Sequence, residues 1–241
     1  MIQEVLYTDD GTEILESTDV KYLGLNIDNK FEFCNHINIQ YCKLNRMVNT
    51  YWKCPDIGLS TKKIIYHSLV ESHLNYGLLV WGSNFCKKVC NDVSANYTPA
   101  NIKPIKKAQN KIIRAIFRKP KFNKYTRTNT DMSPLYKELG VLKLYDLYRY
   151  QLALLCFDFH HNPDFPDRIS SFFTLKSDIS TRNTRQHLLT LYPAQVNLAN
   201  TSRKPSYVAS FIWNSLPDYI KDISSKNKFK TAIKSYIIGT Y

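Results

Sequence analysis

Two neighbouring carboxylates at a turn, Asp9 and Asp10 in Tyr7-Thr8-Asp9-Asp10, are the first residues whose type and spacing could do chemistry. Such a pair can hold divalent cations for phosphoryl transfer, provided another carboxylate arrives from a separate upstream strand. Only six residues precede Tyr7 in this sequence, too few for that strand. Gly11-Thr12-Glu13 follow, and Asp10-Gly11 reads as the tip of an ordinary hairpin. No catalytic residue is expected.

Metal and nucleophile chemistry is equally unmarked. Cys86 and Cys90 stand four apart, with Cys34, Cys42, Cys54, His67 and His73 at irregular distances. Zinc knuckles need tighter ligand pairs followed by a matching second pair, so no metal ligand is expected. The sequence has no glycine-rich phosphate loop, no nucleophile elbow and no His-Glu-x-x-His pattern.

Charge is more informative. Between Asp92 and Asp131 lie seven lysines and three arginines without one carboxylate, against a formal net charge of +13 for the chain. Solvated faces normally mix both signs, because like charges repel. A polyanion is the natural partner for such a block, and phosphate backbones lead that class. The plainer alternative is a lysine-rich surface helix.

The block has internal order. Ile102 to Lys119 reads as a helix, with Pro104 in its opening turn and Pro120 beyond its end. At 100° per residue, Lys103, Lys107, Lys111, Arg114 and Arg118 fall within roughly 80° of one another. Ile105, Ile112, Ile113 and Ile116 take the other side. Lys43, Arg46 and Lys53 form a smaller set on an earlier helix. These eight residues are the candidate nucleic-acid-binding positions.

Elements must hold that rod in place. Val5 to Leu15 reads as a hairpin, with Val20 to Ile27 as a third strand. Asn35 to Lys53 has helical period, and a helix capped by Ser60 should run to about Trp81 with Ile65, Leu69, His73, Tyr76 and Val80 inward. Asn84 to Ala100 reads as a connector, and Lys121 to Asp131 as a polar loop. A short helix follows Ser133-Pro134 and ends at Gly140; a long apolar one runs on to about His161. Helices around Val208 to Ser215 and from Lys226 to Ile238 close the chain. Arg182, Arg185, Arg203 and Lys204 mark a second basic region, equally compatible with phosphate contact and with solvated loops.

The expected class is mainly α: an N-terminal β-hairpin or three short antiparallel strands, then a helical bundle, then a helical C-terminal region. The divisions fall at 1–28, 29–120 and 121–241. The apolar segment Leu144 to Phe159 contains Asp146, Arg149, Gln151 and Asp158 and should not span a bilayer. Met1 is followed by neither a basic start nor an apolar run, and six cysteines then suit reduced thiols. An intracellular setting, nucleus or cytoplasm, is expected.

Several strings, in order, resemble the region downstream of the palm in non-LTR (LINE-type, jockey-like) retrotransposon reverse transcriptases. Lys21-Tyr22-Leu23-Gly24-Leu25, Asp28, Phe31, Phe33 and His36-Ile37 are similar to one element, with Phe33 in place of the usual tryptophan. Tyr66, Leu74-Asn75-Tyr76-Gly77 and Val80-Trp81-Gly82 match a second, and Gln109 with Arg114 a third. Pro134-Leu135, Leu139, Leu142-Lys143-Leu144 and Asp146 resemble a fourth. Trp213-Asn214-Ser215-Leu216-Pro217, Phe229-Lys230 and Lys234-Ser235-Tyr236 resemble the last. The likeness spans roughly residues 13 to 241.

The resemblance implies a palm edge at 1–28, a thumb at 29–120 that closes over template–primer, and a C-terminal extension. Tyr7-Thr8-Asp9-Asp10 spells the Tyr-x-Asp-Asp signature of such polymerases but lacks its partners here. The palm and fingers, and the Mg²⁺ they hold in the full-length enzyme, are expected outside this chain, which would be a truncated copy or an internal start. The resemblance therefore implies non-catalytic gripping of an RNA template or RNA–DNA duplex, with no cofactor and no membrane. In a longer chain the palm and fingers would be further partners. The alternatives are a helical module for an acidic protein partner and an active polymerase.

Overall fold

The computed structural model describes residues 6–7, 9–14, 17–54, 56–83, 102–124, 127–179, 189–193 and 205–241. The chain is mainly helical, with short antiparallel hairpins at its N-terminal end. Strands β1 (Leu6–Tyr7) and β2 (Glu13–Ile14) pair with Leu6 opposite Ile14. Their turn is closed by Gly11 at φ 80° and by Asp10 Oδ1, which accepts the Thr12 N–H at 3.2 Å.

Val20 to Ile27 is not a single third strand. Strands β3 (Asp19–Tyr22) and β4 (Leu25–Asp28) make a hairpin of their own, with Tyr22 opposite Leu25. Leu23 and Gly24, at φ 45° and 79°, form its two-residue turn. Positive φ at both turn residues matches the twist of the flanking strands.

Helix α1 (Cys34–Lys53) starts under the carboxylate of Asp28, which accepts N–H groups from Glu32 at 2.7 Å and Cys34 at 3.0 Å. A negative charge satisfying free N–H groups at a helix start favours that start.

The next helical run departs from expectation. It comprises α2 (Leu59–Ile65), a π-helical turn (Tyr66–Glu71) and α3 (Ser72–Asn75), then α4 (Leu78–Trp81) after a break at Tyr76-Gly77. Before that break its buried residues Lys62, Tyr66, Val70 and Leu74 are spaced by four. In a regular α-helix such positions drift around the axis by about 40° per step. The wider π turn absorbs the drift and keeps them on one face. Consequently Leu69, Tyr76 and Val80, expected inward, are exposed. Ser60 lies inside the first turn of α2, with Gly58 in the capping position.

Gly77 sits at φ 61°, and a Cβ there would come within 2.5 Å of Leu25 Cδ2. The β3–β4 hairpin thus rests on the α3–α4 break, where the Tyr76 hydroxyl also donates to the Leu23 carbonyl.

Helix α5 (Lys103–Phe117) is followed by a hairpin of β5 (Phe122–Asn123) and β6 (Thr128–Asn129), inside the stretch expected as a loop. Then come α6 (Ser133–Leu139), ended by Gly140 at φ 69°, and the long α7 (Leu144–His161). Short α8 (Asp167–Ser170) and α9 (Lys176–Ile179) precede α10 (Pro205–Asn214), α11 (Asp218–Lys221) and α12 (Lys226–Gly239).

Helix α7 is packed by α4, α10 and α12, while α5 lies against α1 and α6. One cluster of buried side chains runs from Phe33 to Ile237, drawing on both the 29–120 and 121–241 segments. Trp213 and Asn214 pin a returning loop to it: Trp213 Nε1 donates to Leu189 O at 2.8 Å and Asn214 Nδ2 to Leu191 O at 2.7 Å. The connector at 84–100 with Cys86 and Cys90, and the basic residues Arg182, Arg185, Arg203 and Lys204, lie outside the described residues.

Candidate nucleic-acid interface

The α5 rod owes its orientation to one buried polar residue. Gln109 is completely buried, with Nε2 donating to Tyr66 Oη at 2.8 Å and to Leu142 O at 2.9 Å. Its Oε1 accepts the Leu144 N–H at 3.0 Å. The side chain therefore ties α5 to the π turn and to the start of α7, and a satisfied buried amide fixes rotation as apolar packing alone would not. Ile105, Ala108, Ile112, Ile113 and Ile116 share its buried side.

With that face fixed inward, Lys103, Lys106, Lys107 and Lys111 stand exposed. Lys103 to Lys111 covers about 12 Å of helix, close to the axial rise of three to four base pairs at ~3.4 Å each. Lys111 Nζ reaches Asn45 Oδ1 of α1 at 3.4 Å, a neutral acceptor that leaves its charge unbalanced. Among the described residues, none of Lys103, Lys107, Lys111 and Arg118 forms an ion pair.

The other end of the stripe is corrected by tertiary packing. Arg114 is partly buried, with Nη1 at 3.6 Å from the sulfur of Met132, the residue just before α6. Burial pulls its guanidinium below its ordinary pKa, although it remains protonated. Arg118 lies past the last helical residue at φ 53°, so helical spacing no longer fixes its direction. Its N–H bonds to Ala115 O at 3.3 Å and that of Lys119 to Arg114 O at 2.9 Å, closing the helix as glycine usually does. Lys62 Nζ supplies a further donor, to Ile116 O at 3.4 Å.

The second set divides. Lys43, Arg46 and Lys53 are all exposed on α1. Asn45 marks the side of α1 that meets α5, and Lys43 lies about 160° around the helix from it. Burial, and then the Lys43 charge, hold the imidazoles of His73 on α3 and His36 on α1 below their ordinary pKa. Arg46 and Lys53 lie about 100° and 80° from Asn45 and so nearer the α5 flank.

The β5–β6 hairpin adds cations that periodicity could not place. Lys119, Lys121, Lys124 and Arg127 are exposed in or beside it, as is the ring of Phe122. The signal in the sequence was the carboxylate-free composition, since two-residue strands are too short to show alternation.

Asp9 and Asp10 remain in their exposed turn. Among the described residues, no group of three His, Cys, Asp or Glu side chains is placed to hold a metal ion. No described helix is long and apolar enough to cross a membrane. No family model, curated protein or solved structure matches the chain.

Proposed function

We propose that this chain grips nucleic acid through its phosphates without catalysis of its own, and that it corresponds to the thumb and C-terminal region of a non-LTR retrotransposon reverse transcriptase. The carrying observation is the row Lys103, Lys107 and Lys111 on a rod whose rotation Gln109 fixes, with no carboxylate partner among the described residues. The occupant is an RNA template or RNA–DNA duplex. Contacts confined to backbone set position and carry no sequence information, so sequence preference is weak.

The second part of the proposal draws support from how the resembling strings meet. Tyr66, Gln109 and Leu142 to Leu144 share one hydrogen-bonded centre, and the Leu23-Gly24 turn seats on Tyr76-Gly77. Residues of the resembling strings, drawn from separate stretches of chain, thus act as one structural set.

Fluorescence anisotropy with a labelled RNA–DNA hybrid at ~50 mM salt tests the reading; phosphate-driven binding has dissociation constants of about 10⁻⁴ to 10⁻⁶ M near physiological salt. Absence of affinity for any duplex, with binding to an acidic protein, would replace it by the protein-module reading. Primer extension with Mg²⁺ that disappears in Asp9→Asn or Asp10→Asn would overturn the non-catalytic part.

A further inference from the structure

On another part of the surface, helices α2, α6, α7 and α12 enclose an open cleft of about 370 Å³. Small-molecule sites typically occupy ~300–1,000 Å³. Lys63 comes from α2, and Lys230 and Lys234 stand one turn apart on α12. Gly140, at the end of α6, forms part of the floor, and a Cβ there would come within 2.9 Å of Lys63 Nζ. Tyr150 and Ile238 supply the apolar wall, and the hydroxyl of Ser235 lines the cleft as well. Thr231 also lines the cleft, but its hydroxyl already donates to Asn227 O at 3.1 Å.

No carboxylate lines this cleft. Among the described residues, Lys63, Lys230 and Lys234 form no ion pair. Burial, and then Glu71 from beyond the lining, raise the Tyr150 phenol, and the Glu71 carboxylate is engaged by His67 Nδ1. Three ammonium groups around one recess repel one another, as do like charges at i, i+4 on a helix. A bound polyanion removes that repulsion and gains charge-assisted hydrogen bonds.

We propose that the cleft between Lys63, Lys230 and Lys234 binds a phosphoryl-bearing anion, either a free polyphosphate or the 5′-phosphate end of a polynucleotide. The Ser235 hydroxyl adds a donor to the phosphate oxygens, and the Tyr150 ring flanks whatever carries them. This site is separate from the α5 row and does not depend on it.

The test uses the full chain and calorimetric titration with tripolyphosphate. Saturable binding is expected, weakened about tenfold for each lysine in Lys230→Gln and Lys234→Gln. Lys228→Gln removes the same charge from an exposed position on the same helix outside the cleft and should leave affinity unchanged. Far-ultraviolet circular dichroism establishes that each variant is folded. Anisotropy with matched 5′-phosphorylated and 5′-hydroxyl oligonucleotides distinguishes the sources. A preference for the phosphorylated end that Lys234→Gln abolishes points to polynucleotide, and equal binding of both points to free polyphosphate. Absence of tripolyphosphate binding, or equal weakening by Lys228→Gln, overturns the site.

Discussion

Salt dependence separates the cations that meet phosphate from those that merely share a helix. Replacing Lys103, Lys107, Lys111 and Arg118 by glutamine removes four exposed charges and leaves the buried face of α5 untouched. Each phosphate contact on a duplex contributes about 0.9 to the slope of log K against log salt, so the variant's slope should be shallower by about 3.6. Between ~50 and ~200 mM salt, the unmodified protein should lose about 150-fold more affinity than the variant. Arg114→Gln is the internal control. Helical spacing alone puts Arg114 in the stripe, but its guanidinium packs on Met132, so the slope should stay unchanged. The assay is anisotropy of a labelled RNA–DNA hybrid over a graded salt series, with circular dichroism as the check on folding. An identical slope for the fourfold variant would remove α5 from the interface. A fall of about 0.9 in Arg114→Gln would show that this side chain swings out to bind.

Three further outcomes test the scaffold. Gln109→Ala leaves Tyr66 Oη, Leu142 O and Leu144 N without their partner and should cost about 3 kcal/mol, at roughly 1 kcal/mol per orphaned group, read by urea denaturation. Arg118→Gly relieves a left-handed residue at φ 53° and should stabilise by about 1 kcal/mol while lowering the salt slope by about 0.9. Burial, then Lys43, lowers the His36 pKa in the folded state, so the unfolded chain holds more protons once pH falls below about 6.5. Stability is therefore full above that value and declines toward pH 5. His36→Gln should flatten part of this decline, and a pH-independent midpoint would refute the linkage.

Local signals in the sequence were enough for helices with clear caps and an apolar period, but not for the two-residue turn at Leu23-Gly24 or the short β5–β6 hairpin. The bounds of α6 and α7 follow from Ser133-Pro134, Gly140 and an apolar period, because capping and backbone preference act within a turn or two. The exposed row Lys103, Lys107, Lys111 follows from four-residue spacing opposite the isoleucines. Composition alone located the carboxylate-free tract.

Tertiary structure decided everything that depends on what lies across the fold. Met132 shelters Arg114, though helical spacing alone put it in the basic stripe. The π turn shifted the inward face from Leu69 and Tyr76 to Tyr66, Val70 and Leu74, since four-residue spacing suits a wider turn than the α-helix supplies. Lys63 lines one cleft with Lys230 and Lys234 although more than half the chain separates it from them. Pairing and enclosure are properties of groups brought together from distant positions, and spacing along one helix shows only which face turns inward.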